Sequence, residues 1–418
     1  MNKMIDLIKL KKEFSNCPCK VKHELSIKEI AVGSGITAKT GEILMRNGFF
    51  GRLLFIADNN TLKAADGVID ALKDFSLVKK IYENLREATV KEVETIKNLL
   101  ADCDCVISVG TGSLNDIARK AAADLNKPLA IFATAPSMDG FASYNAPLTD
   151  GNFKITYAAK SPEVIIADTK ILAAAPAYLK SAGFGDMVGK YVALIDWQVS
   201  HLITGEHYCE KVAALTREAT DRIMALSDRI TLEDEESAAA VFESLLLTGI
   251  GMSFTKTSRP ASGTEHILSH FWECKKLLNG ELSDFHGRKV GVATLLIMEE
   301  YGKLLTKKTV KAKREVNDWK DILSHYGALS EEVVKLNTPD TITDAVEPKT
   351  IEENWEKIRE IISSVPSVKE IKEAMIRAGC PLTNGEIAVT DGLKEEGLKY
   401  HPYMRRRLSL YRLKNMRE

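Results

Sequence analysis

From about residue 29 to residue 170, short apolar runs rich in β-branched residues alternate with amphipathic stretches of helical period, the pattern of parallel βαβ units. IAVGSGI (Ile30 to Ile36) reads as a strand and glycine turn, and a helix from about Ala38 to Asn47 ends at Gly48. RLLFIAD (Arg52 to Asp58) is a buried strand that stops at a polar cluster. A second unit follows: VKEVETIKNLLAD as an amphipathic helix, CVISVG (Cys105 to Gly110) as a strand, SLNDIARKAAADL as a helix, and LAIFAT (Leu129 to Thr134) as a strand after Pro128. VIIAD (Val164 to Asp168) is the last strand, so the pattern predicts an α/β fold with an N-terminal doubly wound domain.

Beyond it the chain turns to long Ala-, Leu-, Glu- and Lys-rich segments with helical period, which predicts an all-helical second domain. The boundary falls near Asp168 to Ala175, where AAAPAYLK begins a proline-started helix. The expected organisation is residues 1–170, with an N-terminal extension over 1–28, followed by 171–418. The tail YMRRRLSLYRLKNMRE places Met404, Leu408 and Tyr411 on one helical stripe, as a docked terminal helix with its arginines on a solvated face. SAAAVFESLLLTGIGMSF is the most apolar long stretch; interrupted by Glu243 and glycines, it reads as a buried helix, so no membrane span is expected.

Composition narrows the function classes. The 418 residues are 45% hydrophobic and 28% charged, enough for a sizeable core. With 57 Lys and Arg against 58 Asp and Glu, no global basic field exists to hold nucleic acid, so an anionic ligand must be bound locally. The start MNKMIDLIKLKKEF lacks a signal-peptide pattern, and seven cysteines point to reduced thiols in the cytoplasm. The close pairs Cys17/Cys19 and Cys103/Cys105 have no further ligands at zinc-ribbon spacing and read as ordinary core or surface cysteines.

Two groups of residues carry candidate chemistry. GTGSLND (Gly110 to Asp116) joins a strand to a helix, where Gly110 and Gly112 admit a phosphate and Ser113 lies near the N-cap. Asp58, at the end of a neighbouring strand, suits ribose hydroxyls or, equally, a capping role. Together they favour a nicotinamide dinucleotide, NAD ahead of NADP. The second group is His266, His270 and His286. His266 and His270 share a helical face, His286 can return from a turn to the same spot, and Asp186, between glycines in SAGFGDMVGKY, is the candidate carboxylate of a divalent-metal site. His23, His201, His207, His325 and His401 have no such company. TAPSMDGFAS (Thr134 to Ser143) follows a strand and reads either as a substrate loop or as a structural turn.

Taken together, GTGSLND, TAPSMDGFAS, GFGDMVGK, the IDW at Ile195 to Trp197, SRPASGTEH, FHG, the late AGCP (Ala378 to Pro381) and the RRRLSLY tail resemble the iron-dependent alcohol dehydrogenase and dehydroquinate synthase superfamily, most nearly its bacterial branch acting on glycerol phosphate. The resemblance runs from about Ile30 to Tyr411 and implies a cleft between the two domains. It implies Asp186, His266 and His286 as ligands of zinc, nickel or iron, and His270 as an additional histidine near the substrate. It implies Gly110, Thr111, Gly112, Ser113 and Asp116 at the pyrophosphate, Asp58 at the adenosine ribose, and Thr134 and Ser137 near the nicotinamide. Asp139, Ser143 and, more weakly, Lys190 would face the substrate. Thr111 departs from a more common glycine, and nothing carries over to the segment before Lys28. The implied reaction is NAD(P)H-dependent reduction of dihydroxyacetone phosphate to sn-glycerol 1-phosphate by a homodimer. The alternatives are a polyol dehydrogenase on an unphosphorylated substrate, a dehydroquinate-synthase-like lyase, and a noncatalytic metal- and nucleotide-binding protein.

Overall fold

The runs of Val, Ile, Leu and Phe between residues 29 and 168 form a parallel sheet buried on both faces, as continuous apolar strands require. A computed structural model describes residues 5–418. Its six-stranded sheet comprises β1 (Glu29–Gly33), β2 (Arg52–Asp58), β3 (Ser76–Tyr82), β4 (Cys105–Gly110) and β5 (Leu129–Ala133); a hairpin of β6 (Asn145–Asp150) and β7 (Phe153–Ala158) precedes the last strand, β8 (Val164–Asp168). The order is β1-β8-β5-β4-β2-β3, so the chain starts at one edge, crosses to β2, runs outward to β3 and returns to β4. The carboxyl ends of β2 and β4 therefore sit side by side where the winding changes direction, the place where such sheets bind ligands.

Two features differ from the sequence reading. Strand β3 is an edge strand whose SLVKKIY carries two lysines, and this weakens its apolar signal. The hairpin β6–β7 lies outside the parallel sheet and turns at Gly151 and Asn152, both with positive φ, as a two-residue hairpin loop demands.

After Asp168 every named element is a helix. The proline-started helix is Ala177–Val188, with Pro176 at its N-cap. The apolar stretch becomes the helix Glu235–Thr255, long and apolar enough to cross a membrane, yet with 89% of its most apolar window buried inside the fold. The expected terminal helix is not formed. Beyond the helix Asp391–Tyr400 the tail has only 3-10 turns at His401–Tyr403 and Arg412–Met416. Met404, Leu408 and Tyr411 are nevertheless buried, and Arg412 is buried with them, paired to Glu315 at 2.8 Å. The tail docks as irregular chain because its arginines reach inward for partners instead of occupying a wet helix face.

Candidate active site

The metal-type cluster begins with close packing of backbone. Helices Ala177–Val188 and His286–Leu304 touch through glycine: a Cβ on Gly185 would lie 2.3 Å from the Gly287 carbonyl oxygen, and one on Gly287 would lie 1.9 Å from that of Ala182. Only glycine permits this approach. It sets Asp186, on the first helix, against His286, the first residue of the second. A third helix, Thr264–Leu278, presents His266, His270 and Glu273 along one face.

One donor atom from each of Asp186, His266 and His286 lies within 4.8 Å of the others. Asp186 Oδ1 is 3.4 Å from His266 Nε2 and accepts from Lys190 Nζ at 2.7 Å, while Oδ2 accepts from the Asp139 N–H at 3.0 Å. Burial alone would raise the Asp186 carboxyl, but Lys190, His266 and His286 hold it far below the carboxylate range, so it is ionised. Burial lowers the His286 imidazole well below its ordinary value, so it is neutral, with one ring nitrogen's lone pair free for a cation. At His266 burial is outweighed by Asp186 and Glu265, which lift it to about 8. An ionised carboxylate with two converging imidazoles fits a divalent first-row ion.

Beside this cluster, Glu273 bridges three cationic or basic groups: Lys154 Nζ at 3.2 Å, Lys289 Nζ at 3.2 Å and His270 Nδ1 at 3.2 Å. Burial takes His270 down to about 4, against the pull of Glu273, so its ring is neutral. Arg405 donates to the Lys154 carbonyl, and Arg407 to the Ser262 carbonyl and Ser258 Oγ. Burial and the neighbouring Arg259 and Arg405 push Arg407 down to about 9. On the cavity wall Lys154 and Lys289 share Glu273, while Asp116 near Lys154 is already paired with Arg119, so this end carries a cationic surplus, with Arg405 and Arg407 nearby but off the wall. The sequence reading missed Lys154, Glu273, Lys289, Arg405 and Arg407. Lys289 follows His286 by one helical turn, but Lys154 sits on the unanticipated hairpin, and the arginines belong to the tail assigned to solvent.

The structure distributes the remaining predicted residues as follows. Thr111, Gly112, Ser113, Asp58, Asp116, Ser137, Asp139 and Ser143 line one cavity together with His266, His270, His286, Lys154 and Lys289. Thr111, not Ser113, is the N-cap of the helix Gly112–Asp124, and Ser113 Oγ instead donates to the Arg86 carbonyl at 3.1 Å. Asp58 caps the helix Asn59–Ala64, accepting from Thr61 N–H at 2.8 Å through Oδ1, and still reaches the cavity. Asp116 is paired with Arg119 at 2.6 Å, and that arginine also holds the Gly140 and Phe141 carbonyls, so the pair fixes the loop after β5. Gly110, Thr134, Asp186 and Lys190 are buried behind the cavity wall; Lys190 bridges Asp186 and Asp139, each at 2.7 Å, and does not face the cavity.

Residues 31–176 match the family model described as iron-containing alcohol dehydrogenase. Over the whole fold, the chain superimposes on sulfoacetaldehyde reductase from Bifidobacterium kashiwanohense in complex with NAD+, with a TM-score of 0.63 at 12% identity, covering 94% of this chain and 96% of that one. The sheet half thus matches the iron-containing alcohol dehydrogenase model, and the whole chain shares the fold of that reductase. The chain is 30% identical over 415 residues to the glycerol-1-phosphate dehydrogenase (NAD(P)+) of Halalkalibacterium halodurans, covering 96% of this chain and 95% of the relative. It is also 30% identical over 415 residues to that of Bacillus licheniformis, covering 97% and 93%. The chain therefore belongs to the glycerol-1-phosphate dehydrogenase family.

Proposed function

We propose that this protein is an NAD(P)-dependent, metal-dependent oxidoreductase that reduces dihydroxyacetone phosphate to sn-glycerol 1-phosphate. The observation that carries the substrate is the electropositive end of the cavity: Lys154 and Lys289, both largely buried, stand beside the Asp186, His266 and His286 cluster. Two buried ammonium groups sharing one carboxylate leave charge to be matched by an anion, and a phosphate on a three-carbon ketone supplies it. An unphosphorylated polyol has no use for this charge.

Asp186, His266 and His286 would hold the divalent ion, and Thr111, Gly112 and Ser113 at the helix start would take the dinucleotide pyrophosphate. When bound, the ion supplies Lewis-acid polarisation of the ketone and the nicotinamide supplies hydride. The chain's own residues do the rest. Lys190 keeps Asp186 ionised, Glu265 orients His266, and Lys154 and Lys289 hold the phosphate end so that the carbonyl lies toward the histidines. Neutral His270, hydrogen-bonded to Glu273, is placed to pass the proton between the substrate oxygen and solvent. Residues 1–170 would serve the dinucleotide and, through Lys154, the substrate phosphate, and 171–418 the ion and the rest of the substrate. All seven cysteines are free, which suits a reducing cytoplasm, and the working unit is a homodimer.

The test is NADH oxidation by apo protein and by protein reloaded separately with zinc, nickel or ferrous iron, with dihydroxyacetone phosphate set against dihydroxyacetone. Strong preference for the phosphorylated ketone, abolished in His266→Ala, is expected. Preference for dihydroxyacetone would move the activity to a polyol, and absence of metal-dependent turnover on both would overturn it.

A further inference from the structure

The N-terminal segment carries a second convergence of ligand atoms, remote in sequence from the first. Cys17, Cys19 and His23 fall within seven residues of one another and meet Cys209, the N-cap residue of the helix Glu210–Ala225. One donor atom from each lies within 4.8 Å of the others. Cys17 Sγ is 3.5 Å from Cys209 Sγ, Cys209 Sγ is 3.5 Å from His23 Nε2, and Cys19 Sγ is 3.1 Å from the same nitrogen. His23 Nδ1 lies 3.0 Å from the Phe254 carbonyl oxygen, which fixes the ring with Nε2 toward the sulfurs.

We infer that Cys17, Cys19, His23 and Cys209 form a structural zinc site that fastens the N-terminal segment to the helical half. A tetrahedral zinc with ordinary Zn–S and Zn–N lengths separates its ligands by about 3.8 Å between sulfurs and about 3.5 Å between sulfur and nitrogen. The three separations given above need only tenths of an ångström of adjustment, and the other pairs lie within 4.8 Å. Three thiolates and one imidazole complete a four-coordinate shell with no open position, the donor set of structural zinc and not of a reaction centre. The carbonyl behind His23 is the customary outer partner of a zinc-bound histidine. None of the four lines the active-site cavity.

The surroundings fit an anchoring role. The segment's apolar grip is short: from the helix Leu7–Ser15, Leu10 and Phe14 are buried, and Phe14 stacks on Phe254 with ring centroids 4.5 Å apart. Its other attachments include Lys211 Nζ to the Glu13 carbonyl at 3.1 Å. Between them Cys17 to Lys20 makes a tight turn, with Lys20 at φ 64° and its N–H on the Cys17 carbonyl, which aims two sulfurs inward from positions two apart. Sequence spacing could not bring Cys17, Cys19 and His23 together with Cys209, because the fourth member comes from the start of a distant helix.

The experiment uses the full chain loaded with cobalt(II), whose thiolate charge-transfer absorption reports sulfur ligation. The Asp186, His266 and His286 cluster contains no thiolate, so the band must come from the second site alone. It is expected in the wild type, retained in His266→Ala, and lost in Cys17→Ser/Cys19→Ser and in Cys209→Ser. In the zinc-loaded wild type, Cys17, Cys19 and Cys209 should resist alkylation until a chelator is added, a readout that needs no variant to fold. Absence of the band, or equal alkylation with and without zinc in reduced protein, would overturn the proposal.

Discussion

Glu265 Oε1 lies 2.5 Å from Nδ1 of the adjacent His266, and the same oxygen accepts the Gly263 N–H at 2.9 Å. Lifted to about 8, the ring donates from both nitrogens; with Nδ1 held on Glu265, Nε2 facing Asp186 is the nitrogen that would give up its proton to an ion. Glu265→Gln is expected to weaken metal binding about 10- to 100-fold with the fold intact. Zinc competition against a chromophoric chelator, alongside circular dichroism, measures both.

The substrate phosphate should be held by Lys154 and Lys289. Replacing either by Met removes a charged hydrogen-bond donor whose contribution is about 1.5–3 kcal/mol, so kcat/KM for dihydroxyacetone phosphate should fall about 10- to 100-fold. Turnover of dihydroxyacetone should change little. Equal losses on both ketones would show that these lysines only stabilise Glu273.

Much of the fold was legible because its signals are local. β2, β4 and β8 are apolar runs buried on both faces, and they stand where the pattern put them. Strand β3 was hidden by Lys79 and Lys80, tolerated because it has a neighbour on one side only. The hairpin β6–β7 was readable in principle from the Asp150-Gly151-Asn152 turn, but its strands, with Asn145, Pro147, Thr149 and Lys154, carry no continuous apolar run. The histidines of the metal cluster announced themselves by spacing. The anion-binding end did not, because Lys154, Glu273, Lys289 and Arg405 come together only in three dimensions and each alone resembles a surface charge.

The contact between Gly185 and Gly287 leaves no room for a methyl group. Gly287→Ala would set a Cβ against the Ala182 backbone, and pushing the helices apart should cost about 1–3 kcal/mol. The same displacement moves His286 from Asp186. Thermal unfolding and zinc titration of this variant should therefore worsen together, whereas Gly302→Ala, within the same helix and meeting nothing within 4 Å, should worsen neither.

Stability should also fall in mild acid through His401. Burial lowers its ring from 6.5 to about 3, against the Gly397 carbonyl, which its Nδ1 approaches to 2.7 Å. Above pH 6.5 neither state binds the proton and the contribution is fully present. As the pH drops toward 3 the unfolded chain takes the proton and the folded one does not, so stability is lost at up to about 1.4 kcal/mol per pH unit. His401→Gln should flatten this slope in urea unfolding between pH 6.5 and 4.5.

Asp186, His266 and His286 all belong to helices after the last strand, while Thr111, Gly112 and Ser113 belong to the sheet half; the main link from that half to Asp186 is the Asp139 N–H. Any swing of the halves that admits or frees a dinucleotide therefore carries the ion's protein ligands along as one piece. An ion held by Asp186, His266 and His286, as proposed, would stay through many rounds of cofactor exchange, and its loss to chelators should follow a clock of its own, indifferent to how fast the enzyme turns over.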